Sequence, residues 1–151
     1  MEKLRLEELT AKTIVSANSL TLKPGQEQFV APVANSIAEA YVKQETAWPR
    51  VVLLEDTVVG FIMGNFDEDN EKEEFRSCIL RMNVSGDVQG KGVGRFLVEE
   101  IAKEAKARGF DAVTAIWEPG ELGPEAFFAR VGFDIIGETE YGEIIGKKSL
   151  N

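Results

Sequence analysis

The sequence predicts a mixed α/β domain, and three observations carry that reading. A hydrophobic fraction of 44% over 151 residues is enough for one substantial core. Short apolar, β-branched runs recur as strand candidates, while the segment after Gly92 spaces Phe96, Leu97, Ile101 and Ala105 along one helical face. Between a strand and that helix, Gly90, Gly92 and Gly94 alternate with Lys91 and Val93 in a turn stripped of side chains. No linker, repeat or low-complexity segment divides the chain, so residues 1–151 read as one domain.

From the start, Leu4 to Leu9 alternates apolar and charged residues as a first strand does, and Thr10 to Asn18 reads as a short helix. Pro24 and Gly25 break the chain and Pro32 stands near a helix start. Ile37, Ala38, Tyr41 and Val42 share a face, which gives a broken pair of helices. In "RVVLLEDTVVGFIMGNF" two apolar runs flank Glu55-Asp56-Thr57, the pattern of an antiparallel hairpin. The run "NFDEDNEKEEF" is a charged, solvated connection. Phe75 to Val84 makes a longer central strand, followed by the glycine turn and a helix from about Gly92 to Arg108 that stops at Gly109. "DAVTAIW" is a strand, Pro124 opens and Gly132 closes a short helix, and "FDIIGE" with "EYGEIIGKKSL" forms a last strand pair.

Acidic residues outnumber basic ones 26 to 17, a net charge of −9 that disfavours nucleic acid and favours cationic partners. A plain acidic surface accounts for the charge equally well. With Cys78 alone there is no disulfide framework or thiolate metal cluster, and Cys78 packs in the central strand. Histidine is absent, so acid–base chemistry falls to Glu, Asp, Tyr, Lys or water, and no metal is expected. The charged start lacks an apolar signal core and no run is long enough to span a bilayer, so a cytoplasmic protein with no membrane partner is expected.

The N–H groups of Gly92 and Val93 open a helix without intrahelical partners, and the positive end of its dipole points at the loop. The three glycines let a phosphate approach the backbone, and Lys91 and Arg95 add charge at the rim. The spacing fits neither a nucleotide P-loop nor the dinucleotide fingerprint. Close packing of a helix on its strand is the bland alternative.

Gln89-x-x-Gly92-x-Gly94, placed between strand and helix, resembles the Q/R-x-x-G-x-G/A motif of the GNAT (Gcn5-related) N-acetyltransferases, and "AFFARVGFDIIGE" is similar to their C-terminal segment. The resemblance covers nearly the whole chain. It implies a mixed, mostly antiparallel sheet of about seven strands with helices on both faces. It also implies acetyl-CoA as cosubstrate and direct acetyl transfer to a primary amine in a ternary complex. Gln26, Phe29, Val30, Ala31, Ser36, Ala38, Glu39, Ala40 and Tyr41 are similar to the start of bacterial spermine/spermidine acetyltransferases, and Arg81 stands where that subgroup carries R-x-M-I. This similarity and the acidic charge favour a polyamine over an aminoglycoside, a peptide N-terminus or a lysine. Similar proteins often pair through their C-terminal strands, which leaves a homodimer open.

By position, the resemblance lays the cofactor pyrophosphate on Gln89, Gly90, Lys91, Gly92, Val93, Gly94 and Arg95, chiefly on their N–H groups. It lays the pantetheine arm along Met82, Asn83 and Val84, with the N–H of Met82 or Asn83 facing the thioester oxygen. The strand Thr114 to Trp117 splays away to make room. An alkyl ammonium has a pKa of about 10.4, so holding it neutral near pH 7 costs roughly 4–5 kcal/mol unless a base takes the proton. Glu118, at the end of that strand beside Trp117, ranks first as this base, acting through water, with an exposed strand-end carboxylate as its bland alternative. Glu39 and Tyr41 are weaker candidates for gripping a cationic amine; a solvated helix face accounts for Glu39 and core packing for Tyr41. Trp48 and Phe66 suit an acceptor pocket or the core alike.

Two positions depart from the family. Phe128 stands where a Tyr often protonates the departing CoA thiolate, and Glu121 where an Asn often contacts the cofactor. Water, another hydroxyl such as Tyr141, or slow turnover are the resulting alternatives, and a non-catalytic acetyl-CoA sensor is a rival reading. A thiol with pKa about 8.5 leaves as thiolate at pH 7 for only about 2 kcal/mol, so the missing acid does not forbid catalysis.

Overall fold

The computed structural model describes residues 3–151 and builds a seven-stranded sheet from β1 (Leu4–Glu7), β2 (Ala47–Leu54), β3 (Thr57–Phe66), β4 (Ser77–Val84), β5 (Ala112–Trp117), β6 (Asp134–Glu138) and β7 (Ile144–Ser149). The spatial order is β1-β2-β3-β4-β5-β7-β6, with every neighbouring pair antiparallel except β4–β5. Helices α1 (Ile14–Asn18) and α2 (Val33–Val42) cover one face, and α3 (Val93–Ala107) and α4 (Glu125–Arg130) the other. This is the mixed, mostly antiparallel architecture expected.

Period-two alternation sorts the two cores. Val52, Ile62, Phe66 and Ile79 meet Leu97, Val98, Ile101 and Ala105 of α3, while Val51, Leu53, Phe61 and Met63 meet Ala17 of α1 and Val33 of α2. The β2–β3 hairpin turns at Glu55-Asp56 as read, with Glu55 at φ 57°. At Gly64 the backbone of β3 runs so close under α3 that a Cβ would lie 2.6 Å from Ile101 Cδ1 and 3.2 Å from Trp48 Cε3. Trp48 and Phe66 are core residues, 3% and 5% exposed, in edge-to-face contact at 6.0 Å. Cys78 is fully buried, and burial pushes its thiol well up.

Four boundaries differ from the expectation. β1 ends at Glu7, and α1 begins only at Ile14 because Thr10 and Thr13 cap each other in the preceding turn: the Thr10 N–H donates to Thr13 Oγ1 at 3.0 Å. The first of the paired helices is a single 3₁₀ turn, Gln26–Gln28. β4 starts at Ser77, since Phe75 closes another 3₁₀ turn. The inward face of α2 is Val33, Ser36, Ile37 and Ala40, so Tyr41 and Val42 stand 74% and 73% exposed. The helix is rotated from the expected face because Pro32 sets its start and Val33, on the first turn, inserts into the core.

Candidate active site

A bulge in β4 builds the site. Met63 pairs with Arg81 but Gly64 with Ile79, so Leu80 is an extra residue, and the alternation of the strand changes phase there. Arg81 thereby falls on the same face as Leu80, toward α2, where its Nη1 donates to Glu39 Oε2 at 2.9 Å. Met82 and Val84 fall on the α3 face. The bulge also marks where β5 leaves: β4 and β5 pair only at Cys78–Thr114 and Ile79–Ala115, then part as expected. A cleft of about 1360 Å³ opens between them.

The hydrogen-bond phase of β4 decides which backbone group faces this cleft. The Ser85 N–H donates to the Val59 carbonyl, so in an alternating ladder Asn83–Phe61 and Arg81–Met63 are the hydrogen-bonded pairs. Met82 and Val84 therefore turn their N–H and C=O groups away from β3 and into the gap, and the Val84 carbonyl accepts from Gln89 Nε2 at 2.9 Å. The oxyanion expectation narrows to Met82. Asn83 is corrected: its backbone is engaged with β3, and its side-chain amide donates to the Ala31 carbonyl at 3.2 Å.

Gly90 and Gly92 adopt φ of 81° and 91°, a conformation only glycine takes without strain, and a Cβ on either would meet nothing within 4 Å. The side facing the turn is thus open. The N–H groups of Gly90, Gly92, Val93, Gly94 and Arg95 have no acceptor among the described residues, and the first turn of α3 carries no acidic side chain. Together they form an anion cradle at a helix N-terminus. Gly94 has a second duty, since a Cβ there would lie 2.9 Å from the Phe127 ring. The Lys91 N–H is already given to the Val88 carbonyl, so Lys91 offers its exposed side chain alone, and Val93 is a core residue with only its N–H available. The Gln89 side chain points away from the cradle, exchanging hydrogen bonds with Gln26 at 2.7 and 3.0 Å.

The same cleft is lined by Glu39, Arg81 and Glu118. Glu118 is exposed at the end of β5, on the lip. Trp117 is 4% exposed and stacks on Phe128 at 4.9 Å, so the two shape the wall from behind, and Trp117 Nε1 has no partner among the described residues. Phe128 is itself locked against Phe127 and Phe133. Tyr41 faces solvent and Tyr141, 81% exposed, sits in the β6–β7 turn; neither lines the cleft, which corrects both assignments. Glu121 is exposed in the β5–α4 loop, also outside the lining.

Residues 20–133 match the model of the acetyltransferase (GNAT) family. The chain belongs to the GNAT acetyltransferase family. Acetyl-CoA is the cosubstrate of that family. The GNAT fold is equally plain in solved structures. A GNAT-family protein from Desulfovibrio desulfuricans superposes with a TM-score of 0.74 at 14% identity, over 99% of this chain and 100% of that one. The PaiA N-acetyltransferase of Thermoplasma acidophilum, solved with coenzyme A, gives 0.69 at 15% identity over 97% and 99%. Among curated proteins, N-acetylaspartate synthetase of Danio rerio is 29% identical over 105 residues, 68% of this chain and 35% of that protein. The chain thus spans about a third of the length of that relative.

One segment lining the cleft, residues 26–32, was not anticipated as part of the site. Gln26, Phe29 and Ala31 touch Gln89, the Gly120–Gly123 loop and Asn83 respectively. Their signal was present in the run "QEQFVAPVANS", read there for its likeness alone.

Proposed function

We propose that the chain transfers the acetyl group of acetyl-CoA to the primary amine of a small acceptor, a polyamine such as spermidine first among them. The observation that carries this is the parted pair β4 and β5, with the Met82 N–H turned into the gap between an anion cradle and an acid-lined mouth. In that arrangement the cradle holds the pyrophosphate, and the Met82 N–H holds the thioester oxygen as it gains charge. The neutral amine attacks the carbonyl carbon and the C–S bond breaks. Glu118, through water, takes the proton whose loss makes the amine neutral; the nitrogen gives its second proton to solvent after attack, and the thiolate takes one from solvent.

A cationic acceptor is supported by the lining of the cleft, in which Glu27, Glu39, Glu45, Asp67, Glu118 and Glu143 outnumber Lys43, Arg81, Arg95 and Arg130. Arg81 favours a second reading. Its guanidinium lies in the same mouth, one residue from Met82, and could hold the carboxylate of an amino acid. The likeness to an N-acetylaspartate synthetase lends this reading support. The test is CoA release from acetyl-CoA with spermidine, spermine, L-aspartate and a lysine peptide. Release with the polyamines supports the first reading, and release with aspartate alone replaces it by the second. Tight acetyl-CoA binding without release for any amine would favour a sensor.

A further inference from the structure

The segment 20–32 crosses from one lip of the cleft to the other. On the cofactor side the Gly86 N–H donates to the Thr21 carbonyl at 2.7 Å, and Gln26 and Gln89 exchange two side-chain hydrogen bonds. In the middle, Asn83 of β4 donates to the Ala31 carbonyl. On the β5 side Phe29 sits on glycine: a Cβ would fall 2.5 Å from its ring at Gly120 and 3.2 Å at Gly123. This strap is the wall of the acceptor mouth, and the side chain that anchors it belongs to the residue immediately before the cradle. Gln89 also holds the Val84 carbonyl, so one amide joins strap, cradle and the strand bearing Met82.

We propose that Gln26 is a positioning residue and that the strap couples the two substrates, so that filling the cradle orders the acceptor wall. The inference rests on the reading of the turn as the acetyl-CoA site. The Gln26–Gln89 pair is already made in this structure, and an anion on the N–H groups of Gly90, Gly92, Val93, Gly94 and Arg95 fixes the backbone from which Gln89 extends, so that the pair is held more firmly. Fixing the partner lowers the entropic cost of ordering the strap, and the same factor returns to cofactor affinity by linkage. The motif residues Gln26, Phe29 and Ala31 thereby gain one shared role.

The test compares the wild type with Gln26→Met, which keeps the length of the side chain and removes its polar atoms. CoA is titrated by calorimetry, and amide hydrogen exchange is read with and without CoA. In the wild type, CoA slows exchange across residues 20–32 as well as 89–95. In Gln26→Met the cradle is still protected, the strap no longer responds, and CoA binds more weakly by up to about five- to tenfold, the ceiling that one or two modest hydrogen bonds set on the coupling. Phe29→Leu provides a check at the opposite lip, with loss of the strap response while the glutamine pair is kept. Full strap protection by CoA in both variants would overturn the coupling, and unchanged CoA affinity in Gln26→Met would overturn the role of Gln26. A wild type that binds no CoA would overturn the reading of the turn beneath them.

Discussion

The role proposed for Glu118 is the part of the chemistry most exposed to test. The Glu118 carboxylate stands at the end of β5, on the lip of the cleft and free of ion pairs among the described residues, so it is open to water and to an acceptor. Glu118→Gln is expected to lower kcat by about 100- to 10,000-fold, the range of one general base, while CoA affinity stays as in the wild type. Steady-state kinetics with the responding amine, beside CoA calorimetry, checks both halves. The chain holds only two tyrosines, Tyr41 and Tyr141, and neither lines the cleft, which leaves solvent to protonate the thiolate. Residue identity revealed the missing hydroxyl at Phe128 at once, because it depends on a local motif. The exclusion of Tyr141 was not legible, because it depends on where a hairpin tip lies in space. Nor was the choice of Met82 over Asn83, which is decided by the hydrogen-bond phase of a ladder.

Among the elements, the contact of α3 with β3 fixes the position of the cradle, because the cradle is the start of that helix. Gly64 permits the contact. Gly64→Ala would place a Cβ against Ile101, Trp48 and the Cys78 carbonyl, with no solvent side into which to relax. We expect a loss of about 1–3 kcal/mol, seen as a fall in Tm of about 3–10 °C in a thermal melt. Strands and the long helix were readable because their periods are strong: β2, β3 and α3 lie within a few residues of the expected bounds. α2 was read on the wrong face, since Tyr41 and Val42 are apolar yet exposed, and periodicity alone weighs them like core residues. The bulge at Leu80 left no signal in "SCILRMNV", yet it turns Arg81 toward Glu39 and Met82 toward α3.

At the scale of the molecule, the fold is an open sheet pried apart at one point, with a helix N-terminus on one side of the opening and an acid-lined mouth on the other. The order of elements and the motif Gln89-x-x-Gly92-x-Gly94 were enough to anticipate this, because the cradle is built from consecutive backbone groups. The acceptor mouth was less legible, since it assembles from α2, β4, β5 and the strap, segments far apart in the chain. The direct test of the whole arrangement is a titration of ¹⁵N-labelled protein with CoA and then acetyl-CoA, followed by amide chemical shifts. The account predicts large, equal shifts for Gly90, Gly92, Val93, Gly94 and Arg95 with both ligands, and a shift of the Met82 N–H that appears in full only when the acetyl carbonyl is present. Shifts clustered elsewhere, or a Met82 N–H indifferent to the acetyl group, would contradict it.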